Sequence, residues 1–353
     1  MINTDFIIVG QGLAGSVLAM KLIEEGYSVK VIDKPDLSAC SKVAAGIWNP
    51  VVFKRLTKSW MADELLPELL HFYKEMEKKF NASLITERKI IKLFSEQQEV
   101  DLWKKKAEDE MKDYLDKTIY QDPIQGIKNT PFGYSKVLKA GNLDVKKFLE
   151  LIRNYLKEKE SFLEEEFEYG QLQISEIVSY KHINAKQIIF TEGYLIKKNP
   201  FFNYIPFKPA KGEILTIYSN DLDIGTSVIN KNAFVMRLEN NNYKLGATYD
   251  WENLNDEVSV EAVNELKDRF EKISGAPYRI TEHKAGVRPS VIDRRPVLGQ
   301  HPIHKNVFVF NGFGTKGVML CPYFAQRSAN YFKLQEPLND EVNVARFNKF
   351  FVN

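Results

Sequence analysis

The segment Gly10-x-Gly12-x-x-Gly15 constrains this chain more than any other stretch. It follows Asp5–Gly10 (DFIIVG), whose apolar, β-branched centre has the pattern of a buried parallel strand. It opens a segment from Ala14 to Gly26 with Val17, Leu18, Leu22 and Ile23 at helical spacing, and Gly26 is the stop signal. Ser28–Asp33 (SVKVID) reads as a second strand. Strand, tight turn, helix and strand within about 30 residues make a βαβ unit. Gly10 permits the turn, Gly12 lets backbone approach a pyrophosphate, and Gly15 lets helix and strand pack closely. The helix start at Leu13 and Ala14 offers unpaired N–H groups and a partial positive charge to phosphates. Asp33, followed by Lys34, places a carboxylate where a ribose diol is read. The pattern predicts a dinucleotide site, and an acid rather than an arginine at the strand end argues against a 2′-phosphate. The fingerprint alone does not separate NAD from FAD.

The chain has 353 residues, enough for about two domains. Its 49 basic and 47 acidic residues nearly cancel, so charge does not commit it to nucleic acid or an anionic membrane. Apolar runs such as Phe6–Val9 and Val307–Phe310 fall far short of the roughly 18 residues of a membrane span. No basic leader with a free apolar stretch begins the sequence, so no signal peptide is expected. Two cysteines, Cys40 and Cys321, exclude a disulfide framework and a cysteine-based zinc cluster. Only His301 and His304 of the five histidines lie close together, without flanking acidic or cysteine ligands, and no metal is expected. A reduced, soluble, cytoplasmic protein is the expectation.

Farther along, Trp60–Tyr120 reads as a helical region, with apolar residues at helical period through Leu65–Phe80 and Gln97–Leu115. Lys104–Lys106 reads as a solvated helix face. Asp144–Lys157 and Val258–Ser274 are further helices. Strand patterns dominate from Phe162 to Gly225, including Gln187–Thr191 and Glu213–Tyr218. Val235–Leu238 and Tyr243–Thr248 read as neighbouring strands joined through Asn240–Asn242. Val307–Phe310 is a buried strand, and Gly317–Phe332 a helix after a glycine-rich turn. With no repeat and no long linker, the domains are expected to interleave along the chain.

Further segments carry a family resemblance: Ser41-Lys-Val-Ala44-Ala45-Gly46, Gln187–Gly193 (QIIFTEG), Lys211-Gly212-Glu213, and Lys244-Leu-Gly246-Ala247-Thr248. Ala285-Gly286-Val287-Arg288-Pro289, Asp293–Gly299 (DRRPVLG), Asn311–Val318 (NGFGTKGV) and Val342–Phe347 (VNVARF) complete the series. In this order and spacing the chain resembles the D-amino acid oxidase/glycine oxidase family of FAD-dependent amine oxidoreductases, over nearly its whole length. The resemblance implies an α/β fold: an FAD-binding Rossmann-like domain of the glutathione-reductase type, interleaved with a substrate domain on a large, mostly antiparallel sheet plus helices. Residues 1–58, 140–205 and 285–353 are assigned to the first domain, and 59–139 and 206–284 to the second.

Residue roles follow from the same resemblance. Ser41 and Ala44, Ala45 and Gly46 lie along the pyrophosphate and flavin, where small side chains let backbone amides reach the cofactor. Gly193 closes a second contact, although Glu192 stands where relatives carry a small residue. Gly312, Gly314, Thr315, Lys316, Gly317 and Val318 form the turn whose N–H groups face the flavin pyrimidine ring and stabilise negative charge there. Arg288 aligns with the arginine that holds a substrate carboxylate, a task suited to its planar fork; its alternative is a structural pair with Asp293. Lys244 resembles the oxygen-activating lysine of monomeric sarcosine oxidase, and Lys316 is a second candidate cation. Arg55 and Lys54 are alternative carboxylate anchors. Trp48, Tyr249 and Trp251 are candidates for an apolar substrate pocket, with the ordinary core as the alternative. No cysteine precedes Asp293 closely, so FAD is expected to be noncovalent, and Cys321 reads as core.

The resemblance implies an enzyme oxidising the C–N bond of a small amine or amino acid, by hydride transfer to flavin, to an imine that hydrolyses. Two alternatives accompany it. The AAGIWNPV and GFGTKG segments are also similar to the flavin domain that processes a carboxymethylaminomethyl group on tRNA. Departures at Glu192, Thr315 and Met236 fit a flavin-binding module without catalysis. The partner expected is a small amine or amino acid, with no membrane and no nucleic acid; the oligomeric state is not legible.

Overall fold

The computed structural model describes residues 1–34 and 40–351. Among them the strands form two eight-stranded sheets and the two-stranded ribbon Val51–Val52 with Thr57–Lys58. In the first sheet β1 (Ile2–Val9) lies between Ile183–Phe190 and β2 (Val29–Ile32), parallel to both. Val307–Asn311 continues the parallel set beyond Ile183–Phe190, and Val297–Gln300 closes that edge antiparallel. The glycine-rich turn joins β1 to helix α1 (Leu13–Glu24). Successive residues of β1 enter opposite cores: Phe6 and Ile8 pack with α1 and the helices Ala62–Phe80, Val145–Glu158 and Gly317–Leu334, whereas Ile7 and Val9 pack with Phe190, Phe202 and Val309. Burial on both faces is why DFIIVG is continuously apolar rather than alternating.

The second sheet runs in the order Arg279–Arg288, Ala210–Tyr218, Asn242–Gly246, Phe234–Arg237, Val228–Asn230, Ile85–Leu93, Tyr134–Leu143, Ile47–Trp48. All pairs are antiparallel except Val228–Asn230 with Ile85–Leu93. Its outer face carries Ile91, Leu215, Ile229, Val235 and Leu245 against Leu266 and Phe270 of helix Val260–Glu271. Its inner face turns toward the first sheet.

The structure corrects the sequence reading at several places. The helical region Trp60–Tyr120 contains Ala62–Phe80 and Gln97–Glu108, but the strand Ile85–Leu93 runs between them inside the second sheet. Its alternation is broken by a register shift between Arg88 and Ile90, so the period-2 signal is lost. Beyond Glu108 the chain turns, with Met111, Tyr114 and Leu115 buried outside any helix. Asp144 and Ser259 stand outside their helices as caps, accepting from Lys147 N (3.1 Å) and Ala262 N (3.2 Å). The segment boundaries 139/140 and 284/285 fall inside Tyr134–Leu143 and Arg279–Arg288, which stay in the second sheet to their ends, and Ile47–Trp48 belongs to that sheet as well. Strand continuity rather than any change of composition marks where the chain crosses between sheets.

At the end of strand Ile183–Phe190, Glu192 turns into the protein. Its carboxylate accepts hydrogen bonds from Tyr169 OH and from Asn199 Nδ2 (2.8 Å). Those donors favour the ionised form, but burial outweighs them and pushes the Glu192 carboxyl up to about 7. A carboxyl raised in the folded state binds more protons folded than unfolded between about pH 4.5 and 7, so its contribution to stability is lost as pH rises through that window. Melting temperatures of the native protein are expected to fall relative to those of Glu192→Gln as pH rises from 5 to 7.5. Parallel profiles for the two proteins would contradict that ionisation.

Candidate active site

One cavity of about 1000 Å³ lies between the inner face of the second sheet and the strand ends of the first. Gly10, Gly12, Leu13 and Ala14 line it from the β1–α1 turn, Asp33 and Lys34 from the end of β2, and Gly314, Thr315, Gly317 and Val318 from the start of helix Gly317–Leu334. Ser41, Ala44, Ala45 and Gly46 line it between these, and Gly193 lies near Glu192 and Lys198. Two helix N-termini thus open on the same space, with no side-chain cap on either. Ser41 Oγ accepts from Leu13 N at 3.1 Å, tying the small-residue segment to the first turn of α1.

The tight approach at this turn is enforced from three sides. Gly10 has φ +101°, and a Cβ on Gly15 would collide with the Gly10 carbonyl and lie 2.6 Å from Thr191 Oγ1. That hydroxyl donates to the carbonyls of Val9 (2.8 Å) and Gly10 (2.7 Å). Asp33 accepts from Gln11 N (2.9 Å) and pairs with Arg153 (3.1 Å), whose Nε donates to Gln11 Oε1 (2.8 Å). Thr191 belongs to the contact expected at Thr191–Gly193, whereas Gln11 and Arg153 carry no sequence signal of their role, Arg153 sitting on a helix without a motif. A carboxylate at a strand end, glycine backbone at a helix N-terminus and a second helix N-terminus farther along one cavity fit the ribose, pyrophosphate and flavin of FAD.

From the second sheet, Arg288 projects over Gly212. A Cβ on Gly212 would collide with the guanidinium, so the glycine lets the side chain lie flat on the sheet. Its Nη1 donates to the carbonyls of Lys211 and Thr248 and its Nη2 to that of Thr248, each at 3.3 Å, and the Tyr249 ring lies 4.3 Å from its carbon. Behind these carbonyls Lys211 and Glu213 form a buried pair at 3.3 Å. Asp293, the alternative partner, pairs with Arg346 instead (2.8 Å). Among the described residues Arg288 has no acidic partner. Tyr249 lies at the mouth, 51% exposed and stacked on the exposed Trp251.

Other expected residues do not line the cavity. Trp48 is buried in the core, its Nε1 donating to Lys139 O (3.1 Å) and its ring against Gly141, because strand pairing turns it inward. Arg55 and Lys54 are exposed in the turn of the two-stranded ribbon. Lys244 Nζ donates to the Ala44 carbonyl (3.0 Å), bracing the small-residue segment from below, and burial lowers its pKa. Lys316 Nζ donates to Ser59 Oγ (2.8 Å); burial, with nearby Arg295, lowers its pKa. Gly15 and Gly312 act on packing rather than as lining, a Cβ on Gly312 meeting Val291 at 2.7 Å. Cys321 is buried as expected but also borders the cavity, as does Cys40. No group of three metal-ligating side chains and no helix long and apolar enough to cross a membrane occurs among the described residues.

Comparison with known proteins agrees with this arrangement. The fold is similar to that of glycine oxidase from Geobacillus kaustophilus (TM-score 0.78, 18% identity, 98% of each chain). It is also similar to L-proline dehydrogenase from P. horikoshii (TM-score 0.78, 14% identity, 100% of each chain). In sequence it is 25% identical over 120 residues to glycine oxidase of Bacillus subtilis (strain 168), covering 33% of this chain and 32% of that protein. It is 22% identical over 338 residues to the tRNA 5-methylaminomethyl-2-thiouridine biosynthesis bifunctional protein MnmC of Acinetobacter baylyi (strain ATCC 33305 / BD413 / ADP1), covering 90% of this chain and 51% of that one. The chain thus spans about half or less of the length of these curated relatives. The family model described as DAO, FAD dependent oxidoreductase, matches residues 5–331, and the chain belongs to that family of FAD-dependent oxidoreductases.

Proposed function

We propose that the protein oxidises the C–N bond of a small amino acid, releasing an imine that water hydrolyses. The observation that carries this reading is Arg288, a guanidinium without an acidic partner among the described residues, in the same cavity as the dinucleotide turn. With the Nη1 protons and one Nη2 proton on the Lys211 and Thr248 carbonyls and the carbon against the Tyr249 ring, the Nε–H and the second Nη2–H are left to pair bidentately with a substrate carboxylate. When bound, FAD supplies the two-electron acceptor for hydride from the carbon bearing the amine. Among the described residues, those of the second sheet that line the cavity include no carboxylate and no histidine, so this wall offers no side-chain base, and none is needed when the amine binds neutral. The chain's part is to orient the substrate and exclude water. The N–H groups of Thr315, Gly317 and Val318, which line the cavity at the start of helix Gly317–Leu334, would stabilise charge that develops at the cofactor end. FAD is held noncovalently in this reading, and the electron acceptor that reoxidises it is left open.

A second reading draws on the exposed stacked pair Tyr249 and Trp251 at the mouth, a platform on which a nucleobase stacks. With it, the protein would act on an aminomethyl group of a tRNA base. A salt-sensitive shift of tRNA in a gel supports that reading, and no binding at low salt removes it.

Anaerobic addition of glycine, sarcosine, D-amino acids or L-proline to the FAD-loaded protein is expected to bleach the oxidised-flavin spectrum with at least one of them. A spectrum that no amine bleaches contradicts amine oxidation. Arg288→Leu is expected to lower kcat/KM by roughly 30- to 1000-fold, the equivalent of about 2–4 kcal/mol. Gly212→Ala is expected to reproduce most of that loss through KM, with little change in melting temperature, because the added methyl displaces the flexible end of Arg288. Equal KM values in Gly212→Ala and the native protein would contradict the placement. Denaturation in acid should release all the flavin into the supernatant; flavin that stays with the precipitated chain would contradict noncovalent binding.

A further inference from the structure

The charged residues that line the cavity are unevenly distributed. Asp33, Lys34, Glu166, Glu192 and Lys198 all come from the strand ends and following loops of the first sheet, at the nucleotide end. Among the described residues, Arg288 is the single charged residue that the second sheet contributes to the lining. Much of the rest of that wall is built from four strands, Ile85–Leu93, Val228–Asn230, Phe234–Arg237 and Ala210–Tyr218, with Gly246 of the intervening strand Asn242–Gly246 between the last two. Ile90 pairs with Val228, and Ile214 and Phe234 both pair with Gly246, so the four side chains face the cavity from neighbouring strands. Their neighbours Ile91, Leu215, Ile229 and Val235 point the other way, into the core beneath. Ile90, Val228 and Ile214 are buried and Phe234 is half-buried. Asn230 is the polar residue on this stretch, and it is neutral.

We propose that the substrate is an α-amino acid with an apolar, uncharged side chain, its one carboxylate on Arg288 and its side chain against the wall of Ile90, Ile214, Val228 and Phe234. This rests on the amine-oxidation reading above. A second carboxylate or an ammonium on the side chain would be desolvated against aliphatic carbon, and among the described lining residues the second sheet offers no charge but Arg288 to pair with it. A glycine-sized substrate would leave the wall facing water and forgo the transfer free energy of a buried side chain. The site therefore selects by size and by charge together, using one cation and a hydrocarbon surface.

Carboxylates that lack the amine test the wall without turnover. Acetate, 4-methylpentanoate, succinate and 3-methylbutylamine are titrated into the FAD-loaded protein, with binding read by calorimetry and by perturbation of the flavin spectrum. The expected result is 4-methylpentanoate binding at least tenfold more tightly than acetate or succinate, and no binding of the amine without a carboxylate. Val228→Thr, nearly isosteric but with a hydroxyl in the wall, and Phe234→Ala should each weaken 4-methylpentanoate several-fold while leaving acetate and flavin content unchanged. Both enantiomers of leucine, with glycine, aspartate and lysine, are then added anaerobically, and one leucine enantiomer is expected to reduce the flavin at the lowest concentration. Acetate and 4-methylpentanoate binding within threefold of each other, or glycine, aspartate or lysine reducing the flavin best, overturns the apolar specificity and leaves amine oxidation standing. Carboxylates binding in the expected order with no amine reducing the flavin overturns amine oxidation itself, and the amino-acid substrate with it.

Discussion

Everything at the nucleotide end depends on how closely α1 approaches β1 and the strand beside it. Gly15 packs against the Gly10 carbonyl and the Thr191 hydroxyl, a space that admits no side chain. The hydroxyl in turn ties the carbonyls of Val9 and Gly10 to the neighbouring strand. A larger residue at position 15 would push the helix away from the sheet, and the N–H groups of its first turn would no longer face the cavity. Arg153 and Gln11 extend the same constraint to Asp33 by fixing its carboxylate at the strand end. One contact too small for a methyl group therefore sets the geometry of turn, helix end and carboxylate together.

A second absence of side chain sets the other end. Gly212 makes room for Arg288 to lie along the sheet, and Gly286 sits against Cys40 and Val43, so that the second sheet closely approaches the helix Cys40–Val43. Arg288 is thereby held by the carbonyls of Lys211 and Thr248, which satisfy part of its donor capacity without neutralising it. A guanidinium placed among backbone carbonyls keeps its charge for a ligand, whereas one paired with Asp293 would not; Asp293 is taken by Arg346. The glycines of the two sheets differ in what they admit: cofactor at one, an arginine side chain at the other.

The β1–α1–β2 unit was legible because its signals are local: a run buried on both faces, glycines at fixed spacing and a terminal acid. Arg288 was legible only through the order of motifs along the chain, since nothing in its immediate sequence says that Gly212 lies beneath it. Lys244 and Lys316 illustrate what sequence withholds. Each sits beside a cofactor segment, yet strand register folds the first onto the Ala44 carbonyl, and the second, at the start of a helix, bonds to Ser59. Trp48 carried the composition of a pocket residue but lies in a two-residue strand whose pairing turns the ring into the core. The apolar wall was illegible for a related reason. Ile90 and Ile91 are identical and adjacent, and only the sheet decides which one faces the cavity and which one meets helix Val260–Glu271.

A single cavity joins the dinucleotide turn to the guanidinium of Arg288, the proposed carboxylate anchor. The most direct test is a crystal structure of the FAD-loaded protein with a bound monocarboxylate. The ligand carboxylate is expected side-on to Arg288, paired with the Nε–H and the Nη2–H that the Lys211 and Thr248 carbonyls leave open, with its carbon chain toward the inner face of the second sheet. A ligand carboxylate seated on Lys316, Lys244 or Arg55, or an Arg288 turned away to an acidic partner in the loaded protein, would contradict it.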